Sequence, residues 1–393
     1  MLTVLNLVPN MASCGGTPIL LASMIRHAPR SEVHDVFLVF NDVPDSMLDE
    51  LWRLGATVHV TERRSRARVD LVADVLRLCR LYSPDVIVTS FARADILGAL
   101  AGQLARVPVV KWVHGIAWND SRFLQWTDRR LANSRSLTLC NSIASRDALL
   151  DSGYGGRVAV LHNGIEDIAQ GASRSRADVR RELACADSDI VVGHVGAMNA
   201  LRDPLTIVTA VAMLAAQDER WRLVIAGDGP LEGEVVRSSR ELGIQHRVTL
   251  LGNRQDIADL HRAFDVYVNV APCEAFGLAV VEAMQSRLPV VVSSAGGLPE
   301  VVQDGVSGVV VPPRDPRALA NALQALAGNR ERAQLLGIAA RERALDRFGS
   351  ERFAADRLAL LRVAAAREAV VEPRFHPAQM ERSRPTRARR RTI

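Results

Sequence analysis

The chain has 393 residues, 48% hydrophobic and 24% charged, with aromatics at only 4%. That balance excludes a wholly disordered chain, and the length exceeds what one hydrophobic core usually sustains, so two globular domains are expected. The formal charge of +5 resides entirely in residues 381–393, which hold six Arg and one Glu; the neutral body carries no recognised nucleic-acid motif, which argues against nucleic-acid binding.

Short β-branched runs alternate with Ala/Leu/Arg-rich helical stretches, the habit of parallel sheets covered on both faces. Strands are expected over residues 3–8, 35–40, 57–61, 85–89, 107–113, 137–140 and 158–161, with helices at 71–81 and 94–104 between them. After Ile165 the polar run EDIAQGASRSRAD reads as an interdomain link that leads into a helix over 179–183. The alternation then restarts, with strands at 190–195, 222–226, 248–251, 266–270, 289–293 and 308–311 and helices at 316–327, 330–347 and 351–367. The class is α/β: two doubly wound domains with a ligand cleft between the carboxyl ends of facing sheets.

No apolar run reaches the roughly 18 to 20 residues needed to span a bilayer. The opening MLTVLNLVPN lacks a basic start and a cleavage site and reads as a strand, so no secretory signal is expected. Cys14, Cys79, Cys140, Cys185 and Cys273 are scattered without a CxxC pair, which fits reduced cytosolic thiols better than disulfides or a zinc site. Lys111 is the single Lys; the other 48 basic residues are Arg, a bias that fits genomic base composition.

The most informative window is APCEAFGLAVVEAMQSRLP, residues 271–289. Glu274 falls in a loop after a strand, and Glu282 two turns into a helix with apolar neighbours, where a carboxylate is costly to bury without partners. Ribose hydroxyls would be suitable partners. The amides of Phe276, Gly277 and Leu278 open that helix, and their free N–H groups and positive dipole end suit a diphosphate. The alternative is that Glu274 merely caps the helix while Glu282 reaches the surface or a structural Arg. Gly15 and Gly16 lie between the first strand and a helix at 18–26, where backbone can approach an anion or simply turn. His114 follows the strand VPVVKWV at a carboxyl end, where ligands gather, although an isolated His is as often structural. Asp187-Ser188-Asp189 has a metal-binding spacing, but it precedes a strand instead of following one, which favours a loop role.

The window resembles the Glu-x7-Glu signature of the retaining glycosyltransferase group 1 family, which has the GT-B fold. Further matching stations are Gly15-Gly16-Thr17, His114-Gly115, Asn163-Gly164-Ile165, Val195-Gly196, Gly227-Asp228-Gly229-Pro230 and Gly296-Gly297-Leu298-Pro299-Glu300. The resemblance implies two Rossmann-like domains: an acceptor-binding domain over 1–168, with a C-terminal helix at about 351–370 packing back on it, and a donor-binding domain over 175–350. Residues 371–393 are expected to form a disordered basic tail. By the same resemblance Glu274 meets sugar hydroxyls of a nucleotide-sugar donor and Glu282 the ribose. The phosphates fall to the amides of Phe276, Gly277 and Leu278, with Gly15, Gly16 and Gly196 beside the donor. Arg202 matches the basic residue that neutralises the diphosphate, and His114 an active-site residue bonded to the transferred sugar.

Two positions depart from the family pattern. Ala197 stands where a second cation is usual. Arg287 stands where Gly is usual; at positive φ it would cost on the order of 1 kcal/mol, or else it restores the missing charge.

The expected function is a metal-independent, retaining transfer of sugar from a nucleotide-diphosphate sugar to a carbohydrate or lipid-linked acceptor, in surface polysaccharide or glycolipid synthesis, with no cofactor. A non-catalytic binding subunit, or an epimerase or phosphorylase on the same fold, is the alternative. The expected place is the cytoplasm, with Arg63, Arg64, Arg66, Arg68 and the Arg tail as candidate contacts to an anionic membrane; a solvated loop and an inert tail are the alternatives.

Overall fold

A computed structural model describes residues 1–11, 16–41, 43, 46–61, 69–116 and 122–366. Gly15, Arg63, Arg64, Arg66, Arg68 and the tail from 367 onward lie outside the described residues. The first sheet contains β1 (Leu2–Val8), β2 (Val33–Val39), β3 (Thr57–Val60), β4 (Val86–Ser90), β5 (Val109–Val113), β6 (Leu137–Cys140) and β7 (Val158–Val160). The second contains β8 (Ile190–Val195), β9 (Trp221–Ala226), β10 (Val248–Leu250), β11 (Val266–Asn269), β12 (Val290–Ser293) and β13 (Val309–Val311).

Their spatial orders are β3-β2-β1-β4-β5-β6-β7 and β10-β9-β8-β11-β12-β13, with every pairing parallel. All five residues of β4 and all four of β11 are buried. Helices on both faces force this: such a strand has no wet side, so it reads as an unbroken apolar run. In each sheet the strand order reverses once, between β1 and β4 and between β8 and β11. The loops leaving those strands open a crevice there, and that is where ligands bind in such sheets.

The linking run does not hang free. Asp167 pairs with Arg341 at 2.6 Å, and Asp259 accepts the amides of Ser173 and Arg174 at 2.8 Å each. Both contacts fasten it to the second domain. The chain then returns: Ile165 donates to the Phe348 carbonyl at 2.9 Å, and helix Ser350–Ala366 lies on the first sheet. Phe353 of that helix packs on Trp112 with ring centroids 5.8 Å apart, and Arg357 reaches buried Asp35 and Asn6.

Candidate active site

The loop between β11 and helix Leu278–Gln285 carries Glu274, and two glycines fix its course. Gly277 adopts φ 99° as it starts that helix, and a Cβ there would stand 2.8 Å from Leu298 Cδ2. Gly296, at φ 59°, passes so close that a Cβ would stand 2.0 Å from the Glu274 carbonyl oxygen. Gly297 donates its amide to the same oxygen at 2.8 Å. Any side chain at 296 would therefore displace the Glu274 backbone.

Glu274 is 7% exposed, and its carboxylate contacts the guanidinium of Arg202 directly. Arg202 arrives from the loop after β8. Asn199 Oδ1 takes the amides of Leu201 and Arg202 at 3.0 and 3.2 Å, and Asp203 caps helix Pro204–Ala215 through the Thr206 amide. The loops leaving β8 and β11 thus meet at the second domain's switch point with opposite charges in contact, a pairing that offsets the cost of burying the carboxylate.

Glu282 sits one turn into that same helix, Leu278–Gln285. Burial pushes its carboxyl up to about 7, and no side-chain partner for it is found among the described residues. Tyr267, fully buried beside it, donates to the Val195 carbonyl at 3.2 Å, directly behind Gly196. His194, also fully buried, faces the same backbone. Its Nδ1 lies 2.8 Å from the Val268 carbonyl and therefore carries the proton, while burial holds the imidazole down to about 4.

From the first domain, Gly16 opens helix Gly16–His27 after β1, and a Cβ there would lie 3.2 Å from Leu278 Cδ1. Two helix starts, one from each domain, therefore meet across the cleft, and both present free amides and positive dipole ends. His114 follows β5, with Nε2 3.1 Å from Ser90 Oγ and its ring against Phe91 and Trp112. Burial drives its imidazole down to about 3, so it is neutral and can hydrogen-bond but not supply charge. The structure thus gathers Gly16, Gly196, Arg202, Glu274, Phe276, Gly277, Leu278 and Glu282 around the facing loops, with His114 at the first-domain rim. The Phe276 ring is buried, packing on His162 of the first domain and on Phe348 at 6.1 and 5.4 Å.

Arg287 adopts φ 60° and is exposed, but it precedes β12 and so lies at the amino ends of the strands, opposite Glu274. It cannot replace the charge missing at Ala197. Asp189 accepts the Ala186 amide and pairs with Arg222 at 3.2 Å, at that same far end.

Sequence reasoning quoted Glu300 without giving it a role. Its carboxylate takes the Ile143 and Ala144 amides and His162 Nε2, each at 2.8 Å, so a second-domain side chain caps a first-domain helix. His194, Tyr267 and Asn199 were missed as well. Only the position of His194 and Tyr267 on strands entering the crevice could have marked them.

Residues 175–343 match the family model described as Glycosyl transferases group 1, and residues 14–167 the one described as Glycosyltransferase Family 4. D-inositol 3-phosphate glycosyltransferase of Corynebacterium kroppenstedtii is 30% identical over 291 residues, covering 68% of this chain and 64% of that protein. The protein of the same name from Geodermatophilus obscurus is 30% identical over 299 residues, covering 69% and 66%. The chain thus spans slightly less than two thirds of the length of either relative. HepE of Anabaena, solved with UDP, superposes with a TM-score of 0.81 at 25% identity, covering 92% of this chain and all of that one. No described helix is long and apolar enough to cross a membrane. Residues 175–343 thus belong to the glycosyltransferase group 1 family, residues 14–167 to a second glycosyltransferase family, and the two together have the two-domain GT-B fold.

Proposed function

We propose that this protein transfers a sugar from a nucleotide-diphosphate sugar to a carbohydrate or lipid-linked acceptor, with retention of configuration and without a metal ion, in making a surface polysaccharide or glycolipid at the inner face of the membrane. One observation carries the reading: Arg202 and Glu274 meet at one switch point, and the helix starts at Gly16 and Leu278 face each other across the cleft. That geometry offers a diphosphate a cation and two sets of free amides, and offers the sugar a buried carboxylate. Glu282 would take the ribose hydroxyls.

In the reaction the bond from the anomeric carbon to the diphosphate oxygen breaks and the acceptor oxygen bonds to that carbon on the same face. The acceptor proton passes to the leaving phosphate. Arg202 and the helix amides stabilise the negative charge that grows on the diphosphate, the principal contribution available here. Neutral His114 orients a sugar hydroxyl. Donor binding exchanges part of the Arg202–Glu274 contact for phosphate on one side and sugar hydroxyls on the other. Asp187 and Asp189, at the far end of the sheet, support the metal-free reading.

HepE has been solved with UDP, with UDP and glucose, and with UDP-glucose, so UDP-glucose is the first donor to test. The relatives named for D-inositol 3-phosphate make a phosphorylated polyol the first soluble acceptor. The enzyme should release UDP slowly without acceptor and faster with one, and Glu274→Ala should lower release roughly a hundredfold. Undiminished release by that variant would overturn the assignment of the site.

A further inference from the structure

Helix Arg122–Arg130, RFLQWTDRR, reverses the usual arrangement of a surface helix. The one side chain it buries is Asp128, while Phe123 is 70% and Trp126 51% exposed. Asp128 accepts from Lys111 at 2.7 Å and pairs with Arg135 at 2.7 Å, and both of these cations are buried in the first domain. The helix is thus pegged to its sheet by charge instead of by an apolar stripe. This leaves two of the chain's scarce aromatics facing out, and an exposed aromatic group beside cations marks an interaction surface.

The outer face is uniform in sign. Arg122, Phe123, Trp126, Arg129 and Arg130 follow the three- and four-residue spacing of one helix face, and the helix's single acid is turned inward. Phe123 stacks on Trp126 with centroids 6.3 Å apart, and the Arg130 guanidinium lies 5.1 Å from the indole centroid. Arg129 is fixed along the surface by the Ser152 carbonyl at 2.6 Å. The adjoining helix Ala92–Ala105 adds exposed Leu100 and Leu104.

We propose that this face docks on an anionic bilayer, with Phe123 and Trp126 entering the interface and Arg122, Arg129 and Arg130 meeting lipid phosphates. Amphipathic aromatics with flanking cations are the chemistry that such an interface selects. A sugar-stacking platform is the competing occupant. It is disfavoured because the indole already has the Phe123 ring stacked on it and the Arg130 guanidinium over it, so it is not a bare platform. The helix follows His114 and the carboxyl end of β5, so docking sets the mouth of the cleft against the membrane, where a lipid-linked acceptor is presented. That consequence rests on the transferase reading; the docking does not.

The test is co-sedimentation of the full chain with vesicles of phosphatidylglycerol and phosphatidylcholine, or of phosphatidylcholine alone, beside Phe123→Ser/Trp126→Ser. The wild type should bind the anionic vesicles, and the double variant roughly tenfold less. Unchanged thermal unfolding of the variant establishes that it folds. Equal vesicle binding by the two proteins, or no anionic binding by the wild type, overturns the proposal. So does a variant that loses affinity for a soluble oligosaccharide while vesicle binding is untouched, an outcome that assigns the face to sugar. UDP release in the same preparations separates the two readings, because docking can fail while release persists and release can be absent while docking stands.

Discussion

Arg357 donates to Asp35 at 2.7 Å, joining residues 322 positions apart inside the first domain. Asn6 completes the cluster, donating to Asp35 at 2.8 Å and accepting from Arg357 at 3.3 Å, and all three are buried. The last described helix, reached only after the second domain is finished, thus supplies a charge to the core of the first.

Removing one partner strands the other. Arg357→Met should destabilise by about 3 to 5 kcal/mol, because the Asp35 carboxylate is left in the core with Asn6 as its main partner. Asp35→Leu/Arg357→Met, which removes both charges, should recover most of that loss. Thermal unfolding of the three proteins checks it, and a single variant that melts with the wild type would sink the idea.

Glu282 gives a pH dependence whose sign follows from its raised pKa. Ribose hydroxyls donate to the ionised carboxylate, so donor binding favours that form and releases up to one proton. Affinity for a nucleotide sugar should therefore rise as pH climbs from the ordinary carboxylate range towards the free-protein value of about 7 and level off above it. Unliganded stability runs the other way: the contribution of this group is complete below the ordinary glutamate value of 4.5 and is lost as pH rises through 7. Calorimetric titration in two buffers of different ionisation enthalpy measures the proton, and Glu282→Gln should flatten the profile. A wild-type affinity that does not vary over this range contradicts the role.

The strands were legible because the central ones, such as β4, β6, β11 and β12, are buried throughout and the edge strands keep the same short β-branched runs; β6 and β8 coincide with the expected 137–140 and 190–195, and no end differs by more than two residues. The Glu274 window was legible because loop, carboxylate and helix start are contiguous in sequence. Asp35–Arg357 and His162–Glu300 were not, since each joins residues more than a hundred positions apart and no local pattern names the partner. The charge on Arg287 suggested the cleft, but only the direction of the parallel strands shows that it stands at the opposite end. The buried Lys111 likewise looked like a compositional accident, whereas it anchors the helix that carries Phe123 and Trp126.

Arg287 carries a conformational cost with no described partner to offset it. At φ 60° its backbone lies where a Cβ crowds the chain, and its carbonyl is pressed against Gly337, where a Cβ would come within 2.2 Å. Arg287→Gly should therefore stabilise the protein by about 1 kcal/mol and leave UDP release unchanged, because the side chain lies away from the cleft. A lower melting temperature, or a loss of release, would assign the guanidinium a role that the geometry does not give it.

Glu300 couples the two domains through a helix terminus. Its two carboxylate oxygens receive the Ile143 and Ala144 amides at the start of helix Ile143–Asp151, and His162 approaches the same group. Arg343 holds the other end of the linkage through the carbonyls of Glu300 and Val301, each at 2.8 Å. Glu300→Ala leaves those amides and the dipole end without an anion, at a cost of about 1 to 3 kcal/mol. The more telling effect is on domain approach, since the bonds exist only while the two halves are together. The variant should show a larger radius of gyration by small-angle scattering and a higher KM for donor, with much less effect on the bond-making step once the cleft is closed. Glu300→Gln, which keeps one acceptor oxygen, should fall between the two. A Glu300→Ala protein with wild-type dimensions and wild-type KM would mean that the linkage does not govern closure.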